Sequence, residues 1–177
     1  FLSIFIILFS LPILLLIYFL LFFRNGSPLF FQERVGKNLR KFTLVKFRTM
    51  IISTKDCPTH LVDRKNITPL GDFIRKTKID EIPQFFNVLK GEMSIVGPRP
   101  CLCNQKELIN ERKKLNIHKV KPGITGLAQI KGIDMSNPKL LAEVELSMIK
   151  NFTIKKYFYF FFITLIGKGF GDNVIKN

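Results

Sequence analysis

The stretch Asp80-Glu-Ile-Pro-Gln-Phe-Phe-Asn-Val-Leu-Lys-Gly91 carries the clearest helical pattern in this chain of 177 residues. Four apolar residues recur at helical spacing and would form one apolar face: Ile82, Phe85, Phe86 and Leu89. Pro83 is tolerated only in the first turn of a helix, and Gly91 favours the helix end. The pattern therefore predicts a helix over 82–89, with Asp80 and Glu81 at its N-terminus.

Two acidic residues at a helix N-terminus have two interpretations. Asp is a preferred N-cap residue, and acidic side chains in the first turn are stabilised by the helix dipole. The same position also suits a catalytic carboxylate, because a helix N-terminus stabilises nearby negative charge. Taken without further information, the residues favour an N-cap role for Asp80.

The charge balance of the chain is strongly basic. There are 28 Lys and Arg against 13 Asp and Glu, a formal net charge of +15, and all of these residues follow position 23. The hydrophobic fraction of 47% excludes a disordered basic tail, and the length predicts one domain with an appendage. Such a domain is expected to bind phosphate-rich partners, namely anionic lipid, nucleic acid or phosphorylated substrates.

The first 23 residues form an apolar leader, in which Tyr18 is the one ionisable side chain. As a helix rising about 1.5 Å per residue, the leader is about 34 Å long and can cross a hydrocarbon core. Pro12 predicts a kink or a break, where Ser10 could bond a freed backbone group. A kinked span and a hairpin that returns to the same face both stay open, and the length favours the span. Because the sequence begins at Phe1 rather than Met, we expect further residues before it.

Beyond the leader, the pattern predicts short strands and further helices. Strand patterns cover 42–48 and 94–96, helical patterns lie within 107–121 and over 140–148, and 51–66 is predicted to be a loop or weak helix. The charged segment 107–121 is expected to be a solvated face. The aromatic, uncharged run Tyr157–Ile166 is too short to span a membrane, which predicts an interfacial or a buried helix. The basic residues after the leader place this part of the chain on the cytoplasmic side of a membrane.

Several basic residues are candidates for binding phosphate. Lys46 and Arg48 would point to one side of the strand 42–48, for which a solvated face is the plain interpretation. In Gly97-Pro-Arg-Pro100 the two prolines hold Arg99 extended, which suits a bidentate grip on phosphate or else leaves an incidental surface arginine. In Lys121-Pro-Gly-Ile-Thr-Gly126 the two glycines could bring backbone amides close to a phosphate.

Cysteine usage and missing motifs narrow the class further. The three cysteines are too few for a disulfide scaffold and lack zinc-ligand spacing with either histidine, so we expect reduced thiols; these residues are Cys57, Cys101, Cys103, His60 and His118. The sequence has no Walker A loop, no G-x-G-x-x-G after a strand and no nucleophile elbow. These absences disfavour a kinase, a dehydrogenase and a serine hydrolase.

Six blocks of sequence carry a resemblance to a known family. They are Ser27-Pro-Leu-Phe-Phe-Gln-Glu-Arg-Val-Gly36, Lys46-Phe-Arg-Thr-Met50, Thr68-Pro-Leu-Gly71, the Asp80 to Gly91 stretch, Met93-Ser-Ile-Val-Gly-Pro-Arg-Pro100 and Lys121-Pro-Gly-Ile-Thr-Gly-Leu-Ala-Gln129. In these blocks the sequence resembles the bacterial sugar transferases, the monotopic phosphoglycosyl transferases that start glycan assembly on undecaprenyl phosphate. The blocks run in family order over nearly the whole chain.

The resemblance implies a location and a way of anchoring. Residues 1–24 would form a re-entrant membrane helix, broken near Ser10 and Pro12, in place of a span. Residues 25–177 would form an α+β catalytic domain, rich in helices with short strands, on the cytoplasmic face of the bacterial inner membrane. Interfacial amphipathic helices, the last at about 152–168, would add to the anchor.

In two places this chain departs from the family. The family's Ser-Pro pair is disturbed, because Leu11 separates Ser10 from Pro12. In the last helix, where members usually carry an acidic residue, Asn151-Phe-Thr153 is followed by Lys155 and Lys156.

The resemblance also implies a chemistry. Asp80 and Glu81 match the family's catalytic dyad, which holds Mg²⁺. The Asp attacks the β-phosphate of a UDP-sugar, releases UMP and keeps the phosphosugar as an acyl phosphate, which undecaprenyl phosphate then displaces. Candidate partners for the donor phosphates are Arg99, foremost, with Lys46, Arg48 and Arg75, and Lys121 is assigned to the nucleotide.

Partners follow from the same resemblance. They are a UDP-sugar, undecaprenyl phosphate, the anionic inner leaflet and the glycosyltransferases that act later in glycan assembly, with no role for nucleic acid. The alternative from another class is a membrane-anchored basic module that binds acidic lipid or nucleic acid without catalysis. Neutralising Asp80 and Glu81 separates the two, because a binder that depends on positive charge tolerates the change. A second alternative is a catalytically dead family member that serves as a scaffold.

Overall fold

The computed structural model describes residues 2–54 and 63–165 of the chain. Its elements in chain order are α1 (Leu2–Asn25), β1 (Leu29–Val35), β2 (Lys41–Phe47), α2 (Pro69–Lys76), α3 (Gln84–Leu89), β3 (Ser94–Val96), α4 (Lys106–Lys114), β4 (Gly123–Thr125), α5 (Leu127–Ile130), α6 (Pro138–Lys150) and α7 (Ile154–Leu165). This arrangement confirms the predicted α+β class, with mostly helices and short strands. Two subjects of the sequence analysis lie outside the described residues. They are Cys57 with His60, and the part of the predicted interfacial helix beyond 165.

The strands form two small sheets. Strands β1 and β2 pair antiparallel from Leu29↔Phe47 to Val35↔Lys41, while β3 and β4 pair parallel. In the parallel pair the backbones approach so closely that a Cβ on Gly123 would lie 2.0 Å from the amide nitrogen of Gly97. Gly123 is therefore explained by this close approach, rather than by an amide that binds phosphate.

Helix α1 runs from Leu2 to Asn25 with Pro12 inside it. Of the two outcomes that Pro12 predicts, a break into separate helices is not seen. The hydroxyl of Ser10 donates to the carbonyl of Ile6 at 2.6 Å. That carbonyl is not the one freed by Pro12, which is the carbonyl of Leu8 four residues before the proline, so the predicted bond to a freed group is not the bond observed. By length and composition this helix can cross a membrane, and its topology stays a prediction.

One stripe of α1 packs on the rest of the protein. Its members are separated alternately by four and three residues: Ser3, Ile7, Ser10, Leu14, Ile17 and Leu21, all of them buried. The N-terminal part of the stripe joins a cluster with Phe85 and Phe160, and the C-terminal part joins Phe47 and Ile74. The helix therefore packs against the domain along most of its length, while most of its other apolar side chains are exposed.

The predicted apolar stripe of residues 82–89 is wrong in two respects. The α-helix begins at Gln84 rather than at 82, because Ile79–Glu81 forms a separate 3₁₀ turn before it. Phe85 is buried, but Phe86 and Leu89 are exposed. Periodicity marks which residues share a face, but it does not distinguish a face that packs on protein from one that is left exposed.

Helix α7 is partly buried in the domain, and its predicted interfacial position stays a prediction. Phe160 and Phe161 are buried in the cluster that also contains Ile7 of α1. Phe158 and Phe162 on the same helix are exposed. Helix α7 therefore buries some of its aromatic side chains against the domain and leaves others exposed.

Candidate active site

Asp80 and Glu81 lie in a tight turn between α2 and α3. The turn, Ile79–Glu81, is 3₁₀ and follows Lys78, whose backbone is left-handed with φ 59°. The side chain of Asp80 is not the N-cap of α3, since Pro83 occupies that position and makes no side-chain capping bond. The N-cap interpretation of Asp80 is therefore wrong. Asp80 is 6% exposed, and Glu81 is half-buried.

Glu81 lines a cleft of about 320 Å³. Four segments form its walls: the β1–β2 hairpin, the turn before α3, the loop after β3 and the start of β4. The lining residues are Arg34, Leu44, Lys46, Glu81, Gln84, Arg99, Pro100, Gly123 and Ile124. Among the described residues, this lining therefore brings three cationic side chains to one carboxylate.

The cleft contains two of the predicted phosphate-binding residues. Lys46 extends from β2, and Arg99 lies in the proline-flanked loop. Lys46 and Arg48 lie on one side of the strand, as predicted, because their charged groups stand 5.6 and 5.3 Å from the centre of the Phe30 ring. The expectation that Lys46 and Arg48 lie on a fully solvated face is wrong, since each side chain is half-buried.

Arg48, Arg75 and Lys121 do not line the cleft. Arg48 donates from Nε to the carbonyl of Ser27 at 3.1 Å and from Nη2 to that of Leu29 at 3.3 Å, so it holds the connection between α1 and β1. Arg75, on α2, donates to the hydroxyl of Thr49 at 3.5 Å. Lys121 is exposed, two residues before Gly123 of the cleft. Roles for these three in binding substrate remain predictions.

Arg34 is a cleft residue that sequence reasoning missed. It is buried, its Nη1 donates to the carbonyl of Pro100 at 2.9 Å, and a second nitrogen, Nη2, donates to the side chain of Gln32. Gln32 and Arg34 occupy alternate positions of β1 and are both buried. Two polar residues at the period of one strand face were the available signal, because a buried polar pair requires partners.

Arg112 was also missed. The segment 107–121 was expected to be solvated, yet Arg112 on α4 is buried and pairs with Glu145 on α6. The helical pattern around Arg112 is dominated by charged residues, and nothing local distinguishes Arg112 from its exposed neighbours. Its partner lies 33 residues away, so the pair exists only in the folded chain.

The Asp80–Glu81 pair suits Mg²⁺ in its donor type. Mg²⁺ prefers oxygen ligands and is usually bound by one or two carboxylates together with substrate phosphates. The two carboxylates are adjacent in one turn, and one of them faces a cleft lined by cations. Within residues 2–54 and 63–165, no group of three or more His, Cys, Asp and Glu is arranged to hold a metal ion. A site there would therefore depend on substrate oxygens for its remaining ligands.

The chain combines an apolar helix that can cross a membrane by length and composition with an α+β domain whose cleft is lined by cations beside an acidic pair. The bacterial sugar transferase family matches residues 1–168, and the chain belongs to this family.

Individual relatives carry more specific names. A sugar transferase of Bacillus subtilis, EpsL, is 50% identical over 108 residues, which cover 60% of this chain and 53% of that protein. The galactosyl transferase CpsE of Streptococcus agalactiae is 46% identical over 62% of this chain and 27% of its own length. A UDP-glucose:undecaprenyl-phosphate glucose-1-phosphate transferase of Klebsiella pneumoniae is 43% identical over 61% of this chain and 24% of its own. The chain thus matches between a quarter and a half of the length of these relatives.

Proposed function

We propose that this chain is a phosphoglycosyl transferase that moves a sugar-1-phosphate from a UDP-sugar to undecaprenyl phosphate and releases UMP. The observation that carries the proposal is the cleft, whose lining contains Arg34, Lys46 and Arg99 from separate segments together with Glu81, the neighbour of Asp80. Relatives named for UDP-sugars and undecaprenyl phosphate supply the substrate classes. The product begins the assembly of a surface glycan.

In the first half-reaction, a carboxylate oxygen of Asp80 attacks the β-phosphorus of the UDP-sugar. The bond from that phosphorus to the oxygen bridging the two phosphates breaks, and UMP leaves with the electron pair. Asp80 then holds the phosphosugar as an acyl phosphate. Asp80 is buried and adjoins Glu81 of the cleft without itself lining it. Its burial would restrict the access of water to the acyl phosphate.

In the second half-reaction, a phosphate oxygen of undecaprenyl phosphate attacks the phosphorus of the acyl phosphate. The bond from phosphorus to the Asp80 oxygen breaks, which restores the carboxylate and yields the sugar diphospholipid. A covalent intermediate thus divides one transfer into two displacements at the same phosphorus.

The cations of the cleft bind and orient the donor. Three positive side chains match a diphosphate, and guanidinium groups such as that of Arg99 can grip phosphate oxygens with two parallel hydrogen bonds. Asp80 and Glu81 would hold Mg²⁺, which when bound neutralises diphosphate charge and stabilises the leaving UMP.

The exposed apolar side chains around the cleft favour a position at the membrane surface. Phe73 on α2 and Phe86 and Leu89 on α3 are exposed on the helices that flank the Asp80–Glu81 turn. Undecaprenyl phosphate keeps its lipid tail in the membrane, so its phosphate can reach only a site close to the surface. We propose that this surface is the cytoplasmic face of the bacterial inner membrane, in agreement with the many basic residues that follow α1.

The re-entrant arrangement of α1 is tested by labelling. Single cysteines in place of Leu2 and Asn25, in a background without other cysteines, are exposed to a membrane-impermeant thiol reagent outside intact cells. Both positions are expected to resist labelling until the cells are opened. Labelling of position 2 from outside would establish a spanning helix, in which Pro12 is an internal kink.

The covalent mechanism is tested without the acceptor. Purified protein with Mg²⁺ and a panel of UDP-sugars is expected to release up to about one equivalent of UMP from the correct donor and then stop. Intact mass should rise by one phosphosugar, located on Asp80 by peptide mapping. Asp80→Asn should abolish both the burst and the turnover, since an amide is a poor nucleophile, whereas Glu81→Gln should weaken the dependence on Mg²⁺ and lower the rate.

A matched control separates this effect from a general loss of charge. Asp72→Asn removes a carboxylate on α2 that pairs with Lys76 on the protein surface, and it should leave the burst intact because exposed ion pairs contribute little. Near-normal turnover by Asp80→Asn would refute Asp80 as the nucleophile. A protein that binds anionic vesicles but releases UMP from no UDP-sugar would instead be the non-catalytic basic module.

A further inference from the structure

The loop that carries Arg99 is held by its carbonyl groups. Four successive carbonyls accept hydrogen bonds from outside the loop: Pro98 from the amide of Gly123 (2.8 Å), Arg99 from Nη2 of Arg112 (2.8 Å), Pro100 from Nη1 of Arg34 (2.9 Å) and Cys101 from the amide of Val35 (2.9 Å). Pro98 and Pro100 have no N–H group and cannot join a regular ladder. The carbonyls of Arg99 and Pro100 are bound by side chains, and in both cases the donor is a buried guanidinium group.

Arg112 is fixed in turn by Glu145. Its Nε donates to one carboxylate oxygen at 2.8 Å and its Nη2 to the other at 2.5 Å, while Nη2 also reaches the Arg99 carbonyl. Glu145 is 1% exposed, and burial raises the pKa of its carboxyl, a shift that the Arg112 guanidinium opposes.

This pair is not explained by stability. Buried ion pairs lose hydration when they form, and their replacement by apolar residues of similar volume is often neutral or stabilising. The Arg112–Glu145 pair joins α4 to α6, a contact that apolar side chains could also make. What apolar side chains could not supply is a hydrogen-bond donor for the Arg99 carbonyl.

Arg112 lies behind the loop and not in the cleft. It lines a second cavity of about 350 Å³ with Pro98, Ile117 and His118, whereas Arg99 and Pro100 line the cleft. Any effect of Arg112 on bound substrate must therefore pass through the backbone of the loop.

We infer that Arg112, oriented by Glu145, is a positioning residue that fixes the Arg99 backbone so that its side chain enters the cleft. The inference rests on the proposed function for the reaction that this position serves. It predicts that the buried pair influences binding of the donor diphosphate through Arg99 and through no other residue of the cleft.

The test replaces the pair by apolar residues of similar size. Arg112→Met combined with Glu145→Leu should keep the melting temperature within a few degrees of the wild type. UMP release from the UDP-sugar should fall roughly 10- to 100-fold, as expected for the loss of one charge-assisted hydrogen bond. In an Arg99→Ala background the same double replacement should change the remaining rate by less than about twofold, because the Arg99 side chain, through which the pair acts, is absent.

A matched control uses an ion pair on the same helix. Lys114→Met with Glu111→Leu removes a pair near the protein surface, 2.5 Å apart, that has no bond to the loop, and UMP release should stay at the wild-type rate. If the apolar variant of the buried pair does not fold, Arg112→Lys replaces it. Lysine keeps the charge but loses the fork that reaches both Glu145 and the Arg99 carbonyl, so a similar Arg99-dependent loss is expected.

Three outcomes overturn the inference: a wild-type rate in a folded variant, an equal loss with and without Arg99, or an equal loss in the control. Calorimetric binding of UDP separates failure of the inference from failure of the proposed function. If the wild type releases no UMP from any UDP-sugar, the proposed function fails. The inference then stands if the double replacement weakens UDP binding only when Arg99 is present, and falls if UDP binding is unchanged.

Discussion

The cleft and helix α1 are built in opposite ways. The charged residues of the cleft come from segments between Arg34 and Arg99, and buried hydrogen bonds to backbone carbonyls hold that wall in place. Helix α1 is one continuous segment, and the pattern of burial along it repeats every three or four residues.

The two regions should differ in how far the effect of a substitution extends beyond the residue that is replaced. In the cleft, each charged group depends on partners elsewhere in the chain, so one lost donor can displace a neighbour that touches substrate. In α1, each side chain packs or is exposed according to its place on the helix, so substitutions at two adjacent residues should differ in their cost to stability.

The largest effect on the rate should separate Arg99 from Arg48, two arginines that were both candidates for binding phosphate in the sequence analysis, with Arg99 ranked first. Arg99→Lys keeps the charge in the cleft but loses the bidentate grip, and UMP release should fall roughly 30- to 150-fold, corresponding to about 2–3 kcal/mol. Arg48→Lys, outside the cleft, should change the rate by less than about threefold while lowering the melting temperature, because bonds to Ser27 and Leu29 are lost. A loss below about threefold for Arg99→Lys would make Arg99 an ordinary loop residue.

The next effect compares the cost to stability of substitutions at two adjacent residues of α1. Leu21 is 0% exposed and Leu20 is 47% exposed. In the same detergent, Leu21→Ala should lower the free energy of unfolding by about 2–4 kcal/mol through the cavity that it leaves. Leu20→Ala should change it by about 0.5 kcal/mol or less. Equal shifts in thermal unfolding would contradict packing of this stripe on the domain.

The smallest effect concerns the cysteines beside the Arg99 loop. Cys101 is 1% exposed, and burial raises the pKa of its thiol. The thiolate is therefore scarce at a pH of about 8, where an ordinary thiol has begun to ionise. Cys103 is half-exposed. With iodoacetamide, peptide mapping should find Cys103 alkylated at least about tenfold faster than Cys101. Equal rates would mean that the loop opens easily and that its four carbonyl bonds do not hold it.

Much of the fold could be predicted from local pattern. Strand patterns located β2 and β3 to within one residue, as in Ser94–Val96. They did not predict β1 or β4. The helical pattern over 140–148 located α6, because a helix with one buried and one exposed face keeps a regular spacing of apolar residues. The same reasoning misplaced the start of α3, since the 3₁₀ turn at Ile79–Glu81 depends on the chain's path out of α2 rather than on the residues of α3.

The candidate site was predicted in part. Asp80, Glu81 and Arg99 were singled out by their neighbours and by the family blocks, and Lys46 by its strand. Arg34 and Arg112 were not, because what distinguishes them is burial and the partner that satisfies them. Pro100 lies 66 residues from Arg34, and Glu145 lies 33 residues from Arg112.

The sequence by itself determined the apolar leader, the basic charge and the acidic pair, since each follows from composition or from spacing within a few residues, and the family blocks implied the α+β class. Only the tertiary structure decided which cations meet Glu81, that Arg48 holds a chain connection instead, and that Arg112 reaches the Arg99 carbonyl. A guanidinium can satisfy a carbonyl, grip a phosphate or remain in water with the same local sequence around it. The choice depends on which oxygen the folded chain brings within about 3 Å of its nitrogens.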